Sequence, residues 1–103
     1  MDERRSFFRL KNNGEILAKI SSQYFEIIDI SATGARITNN SQLADEGTIE
    51  ISINRFSIEM HYKILRFENN STIIIFTNDA EIDRIFVALK QLRDERRVHK
   101  PQI

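Results

Sequence analysis

"TIEISINRFSIEMHYKIL", Thr48 to Leu65, is the stretch whose reading decides the fold. In its first part Ile49, Ile51 and Ile53 alternate with Thr48, Glu50, Ser52 and Asn54, and further on Ile58, Met60, Tyr62 and Ile64 alternate with polar or charged residues. Successive side chains of a strand point to opposite faces, so each part predicts a strand with one face on a core and the other in water. Upstream, "EILAKIS" puts Ile16, Ala18 and Ile20 on one face, and "YFEIIDIS" supplies another strand. Downstream, after a turn at Glu68-Asn69-Asn70, "STIIIF" reads as a more fully buried strand, and a short sixth strand is expected to start at Ala35. Short antiparallel strands joined by tight turns within residues 15–77 predict a small closed or nearly closed barrel: a mainly β fold with six antiparallel strands.

The periodicity changes at Asn78. This residue is a good N-cap with Glu81 three positions on, and Ile82, Ile85, Phe86, Leu89 and Leu92 follow at helical spacing. The pattern predicts an amphipathic C-terminal α-helix over residues 79–97, its apolar stripe packed on the barrel or covering one end. From Arg93 onward periodicity is lost, so this stretch is expected to fray into a tail, residues 98–103, where Pro101 prevents continuation. Arg93, Arg96, Arg97 and Lys100, interspersed with Asp94 and Glu95, read as a solvated helix end favoured by the helix dipole. The whole chain, residues 1–103, reads as a single domain, with residues 1–11 as a flexible arm ahead of the barrel.

Composition narrows the chemistry. Fifteen basic residues balance fifteen acidic ones, so no global field draws the chain to nucleic acid or an anionic membrane, and any anion binding must be local. The absence of cysteine excludes disulfides and thiolate metal sites and fits a reducing compartment. No apolar run approaches a signal peptide or a membrane span, and a cytoplasmic location is expected. The two histidines, His61 on a polar strand face and His99 in the tail, are poorly placed for a Ser-His-Asp arrangement or for metal ligation. Phosphate-binding glycine loops are missing too, so no enzyme, metal or cofactor is expected.

Two stretches remain. "DERRSFFRLK", Asp2 to Lys11, places Arg4, Arg5 and Arg9 around two phenylalanines. Guanidinium forks bind phosphate or a guanine edge bidentately and stack on bases, so the segment reads equally as a small nucleotide clamp or as a solubilising terminus. In "IIDISATGARI", Ile27 to Ile37, alternation directs Ile28 and Ile30 one way and Asp29 and Ser31 the other, away from the core. Gly34 then permits either a positive φ or the close approach of a planar ligand. A local turn, with Asp29 and Ser31 bonding nearby backbone, is the competing account.

Together these stretches resemble the PilZ domain. Arg5-Ser6-Phe7-Phe8-Arg9 is similar to its RxxxR motif, and Asp29-Ile30-Ser31-Ala32-Thr33-Gly34 to its [DN]xSxxG motif, in matching order and separation. "HYKILRFENNSTIIIF" followed by a helix resembles the closing part of such a domain, although Ile73, Ile74 and Ile75 stand where a glycine often precedes the final phenylalanine. The resemblance implies a six-stranded barrel that binds the bacterial second messenger cyclic di-GMP. It implies that Arg5 and Arg9 contact phosphates and guanine edges, while Asp29, Ser31 and the backbone near Gly34 hold a guanine. It also implies that Arg4, just ahead of the first motif, favours a stacked ligand dimer. Cyclic di-GMP offers two anionic phosphates and two guanines, which suit guanidinium donors, a carboxylate acceptor and a hydroxyl.

The expected mechanism is a switch without catalysis. Ligand clamps the arm against Asp29 and Ser31, Phe7 and Phe8 dock on the barrel, and a monomer or weak dimer signals to an effector protein. Two rivals stand beside it: a PilZ-like protein-protein adaptor without ligand, and a single-stranded nucleic-acid binder on a small barrel, which the mixed charges of Glu15/Lys19, Glu50 and Glu59/Lys63 disfavour.

Overall fold

A computed structural model describes residues 8–38 and 43–98; what was expected of Arg4, Arg5, Phe7 and the tail from His99 lies outside the described residues. Among these, the chain runs β1 (Leu10–Lys11), β2 (Ile16–Ile20), β3 (Gln23–Phe25), β4 (Ile27–Ser31), β5 (Gly34–Thr38), β6 (Glu46–Ile53), β7 (Phe56–Glu68), β8 (Ser71–Phe76) and α1 (Asp79–Val98). The strands form one antiparallel sheet in the order β1-β4-β5-β8-β7-β6-β2-β3. The fold is mainly β with a C-terminal helix, as expected, but eight strands replace six. Leu10–Lys11, assigned to the arm, pairs with β4, and "YFEIIDIS" breaks at Glu26 into β3 and β4.

The alternating stretch behaves as its pattern requires. Ile49, Ile51, Ile53, Ile58, Met60 and Tyr62 are buried on the inner face of β6 and β7, and Ile64 packs at its margin. The Tyr62 hydroxyl donates to the Ala44 carbonyl at 2.9 Å, and burial pushes its phenol above the usual value. Two-residue turns join β2 to β3, β6 to β7 and β7 to β8, and each opens on a residue with positive φ: Ser21, Asn54 and Asn69. Asparagine tolerates that region better than most residues, which suits two of the three turns.

Asn78 caps α1, its side-chain oxygen accepting the Glu81 N–H at 3.0 Å. The Glu81 carboxylate leaves the helix end and clamps β7, one oxygen accepting the His61 N–H at 2.7 Å and the other lying 2.8 Å from His61 Nδ1. Ile82, Ile85, Ala88, Leu89 and Leu92 are buried, and the helix lies against β6 and β7. The helix runs through Arg93 to Val98, one residue past its expected end, although this stretch has lost its apolar periodicity. Arg96 supplies a reason: its guanidinium donates to the Lys11 carbonyl at 2.7 Å and to Glu15 at 2.7 and 3.3 Å. The cation read as solvated clasps the end of the helix to the start of the sheet.

The sheet is also curled. β3 and β4 stand near opposite ends of the strand order yet are separated by Glu26 alone, so the two ends must lie side by side. Asn12 stitches this junction. Its amide donates to the carbonyls of Ile16 on β2 at 2.8 Å and Ile27 on β4 at 3.0 Å, and its oxygen accepts the N–H groups of Gly14 and Ile16.

Two outcomes follow. Removing four bonds and leaving backbone partners unsatisfied, Asn12→Ala should lower stability by about 2 to 3 kcal/mol in urea titration. Arg96, chiefly by hydrogen bonding, holds the Glu15 carboxyl below its ordinary value. A carboxyl depressed in the folded state contributes stability above its unfolded pKa and loses it as pH falls through the folded value. The stability gap between wild type and Arg96→Met should therefore be widest near neutral pH and narrow as the pH falls through the depressed folded-state value of Glu15, which urea titrations across an acid pH series check.

Candidate functional site

The site begins with an irregularity. Along β4 the pairing with β5 shifts between Ile27 and Asp29, so Ile28 is an extra residue and the alternation changes phase. Ile27 and Ile30 are therefore the buried pair, while Ile28, expected to face inward with Ile30, is 40% exposed. Beyond the bulge Asp29 and Ser31 still share the outer face, as expected.

β1 pairs with β4, Leu10 opposite Ile30, and this register carries the preceding Arg9 over the outer face. Arg9 Nε and Nη2 donate to Asp29 Oδ1 at 3.0 and 2.8 Å, and Nη1 donates to Ser31 Oγ at 3.3 Å. Three of the residues singled out by sequence thus meet in one cluster. The guanidinium, expected to be free on an extended arm, is engaged, although the Arg9 side chain stays 51% exposed.

Ser31 is only 2% exposed. Its Oγ accepts the Thr33 N–H at 3.3 Å, lies 3.2 Å from Thr33 Oγ1 and can donate to the Gly34 carbonyl at 3.4 Å. Here the local-turn account holds as well: Ser31 ties down the β4–β5 turn and anchors Arg9, whereas Asp29 turns to arginine.

Gly34 has neither a positive φ nor an open approach. A Cβ there would overlap the Ile74 carbonyl oxygen, so glycine is required by the packing of β5 on β8. The three isoleucines of β8 follow suit, Ile74 in the core and Ile73 and Ile75 half-buried on the outer face, with Ile75 directly opposite Gly34.

Arg36 belongs to the cluster although the motifs did not point to it. It stands cross-strand from Asp29, with Nε 3.6 Å from Asp29 Oδ2. Nη1 donates to Ser71 Oγ at 3.0 Å and to Glu68 at 3.4 Å. Glu68 also accepts from Arg66 at 2.6 Å, and that bond, ahead of Arg36, holds its carboxyl below the usual range. Counting back from the turn at Ala32-Thr33 would have found Arg36, because a two-residue turn pairs Ser31 with Gly34 and so Asp29 with Arg36. Three arginines face two carboxylates along this row, a local positive excess on a chain of zero net charge.

Aromatic packing ties the same corner to α1. The Phe8 and Phe86 rings lie 5.9 Å apart, and the Arg93 guanidinium stands 4.6 Å from the centre of Phe8. Phe8 packs against the core beside the helix, and Arg93 covers it.

A family model described as PilZ domain-like matches residues 9–97, taking in the barrel, the helix and all the clustered residues. The chain belongs to the PilZ-like family. The match opens at Arg9, so Arg4 and Arg5 precede it. A crystal structure of an uncharacterised protein from Legionella is similar to this PilZ-like domain at 38% identity and a TM-score of 0.86, covering 88% of this chain and 99% of the other. No curated protein matches. PilZ-like domains are binding and adaptor domains, and no helix among the described residues is long and apolar enough to cross a membrane.

Gly34→Ala should destabilise this PilZ-like domain by about 1 to 3 kcal/mol, because the obstacle is backbone and cannot swing aside. Thermal unfolding of the purified variant checks it.

Proposed function

We propose that the domain is a cytoplasmic receptor for cyclic di-GMP that changes conformation on binding and passes the signal to an effector protein. The observation that carries the reading is the gathering of Arg9, Asp29 and Ser31 on one outer patch with a local excess of positive charge. In this reading Arg9 exchanges partners. Before binding it occupies Asp29; on binding, guanine N1 and N2 hydrogens take the carboxylate, and the released guanidinium turns to a phosphate or a guanine edge. Asp29 reads the base, since a carboxylate repels the phosphates. Ser31 and the backbone at Gly34 fix the turn beneath the base. Arg5 supplies the second guanidinium of the RxxxR pair, and Arg4 stacks on a guanine to favour two intercalated ligands. No covalent chemistry is involved and no cofactor is needed.

The signal leaves through Phe8. Moving Arg9 shifts its neighbour Phe8 on Phe86 and Arg93, which alters the surface that α1 offers to the effector. A second reading, an adaptor that binds protein alone, is favoured by one observation: the Arg9 guanidinium already has Asp29 and Ser31 as hydrogen-bond partners.

Isothermal titration with cyclic di-GMP separates the two. The receptor reading expects binding at tens of micromolar or tighter, a loss of about 1 to 3 kcal/mol in Arg5→Ala, Arg9→Ala and Asp29→Ala, and two ligands per chain falling towards one in Arg4→Leu. Absence of binding, or affinity indifferent to Arg5 and Arg9, rejects it and leaves the adaptor.

A further inference from the structure

Of the two guanidinium groups on Asp29, one is loosely tethered and the other is held from behind. Arg9 is half exposed, and its hydrogen-bond partners among the described residues are Asp29 and Ser31, both within the patch that a ligand would cover. Arg36 is less exposed, at 35%, and is anchored on the far side by the Ser71 hydroxyl, itself buried and donating to the Glu68 carbonyl at 2.9 Å, and by the Glu68 carboxylate. The two arginines also address different oxygens, Arg9 taking Oδ1 and Arg36 facing Oδ2.

We infer that Arg36 is a positioning residue for Asp29, holding the carboxylate in place for a guanine edge when Arg9 turns away; the inference rests on the receptor reading above. The physical need is plain. If Arg9 leaves, a partly buried carboxylate loses its closest cation, and without a second one it would rotate or draw in water. A fixed guanidinium on Oδ2 keeps the plane of the carboxylate set, while Oδ1 and the unused lone pair of Oδ2 face the incoming N1 and N2 hydrogens. An ionised carboxylate has about four acceptor positions, enough for one arginine contact and a bidentate base. Cross-strand pairing gives this arrangement its rigidity, because Asp29 and Arg36 are opposite partners on β4 and β5.

This role is one of discrimination, which a merely structural residue would not control. Adenine has no N1 hydrogen and presents no matching pair of donors to a carboxylate, so cyclic di-AMP probes everything but the base reading. The experiment is parallel titration of wild type, Arg36→Met, Arg36→Lys and Ser71→Ala with cyclic di-GMP and cyclic di-AMP. Arg36→Met should weaken cyclic di-GMP by roughly 5- to 150-fold, the span of one good base contact, and leave cyclic di-AMP within a factor of about two. Arg36→Lys, which keeps a cation near Oδ2, should recover part of the difference. Ser71→Ala keeps the guanidinium but frees it, and should erode discrimination in the same direction; it decides the matter if Arg36→Met does not fold. Wild type that fails to bind cyclic di-GMP overturns the receptor reading itself. Wild type that binds, with discrimination unchanged in Arg36→Met or, failing that variant, in Ser71→Ala, overturns the role of Arg36 alone.

Discussion

Everything in this domain depends on bringing together the two ends of one sheet. The chain passes from β3 to β4 through Glu26 alone, and these strands lie near opposite ends of the strand order. A flat sheet cannot satisfy that connection. Twist and the bulge at Ile28 bend it, and Asn12 then supplies hydrogen bonds to backbone groups on β2 and β4 that no regular ladder reaches at that corner. Once the junction is made, β1 has a neighbour on β4, and Arg9 stands over Asp29 and Ser31 as a consequence.

The same junction explains why α1 is more than a lid on apolar side chains. Its first turn is fixed by Asn78 and by the Glu81 grip on His61, its middle by buried aliphatics, and its last turns by Arg93 on Phe8 and Arg96 on Glu15 and Lys11. Polar contacts at both ends set the angle of the helix, which an apolar stripe by itself leaves loosely defined. The segment that brings Arg9 to the patch is thus held between β4 on one side and α1 on the other.

How much of this was legible in the sequence depends on the range of the interaction. Alternation in β6 and β7 identified the inner face down to single residues, and the Asn78 cap was readable because both are local patterns. The bulge at Ile28 was not, since a strand with one extra residue looks like any alternating run until its partner is known. Nor was the break at Glu26, because "YFEIIDIS" has no glycine or proline to mark it. Within the site, Asp29, Ser31 and Arg9 were found by their types and spacing. Gly34 was read as a site for either a positive φ or a planar ligand's approach, whereas its steric need is the Ile74 carbonyl on β8, and Arg96 was read as solvated because its partners lie 81 and 85 residues away. Asn12 sits in a turn-like "KNNGE" where asparagine is too ordinary to stand out.

The Arg96 clasp also sets an order of events. It joins the first described strand region to the last described turn of helix, so it has among the widest separations along the chain of any bond in the domain. Contacts of such range form late, because the loop they close carries a large entropy cost until the intervening structure has folded. The central hairpins of β6, β7 and β8 close far shorter loops and can form first, and the β1 edge waits unclasped until the helix docks. A chain truncated just ahead of Arg96 would therefore still carry all eight strands while Glu15 and Lys11 lack their guanidinium partner.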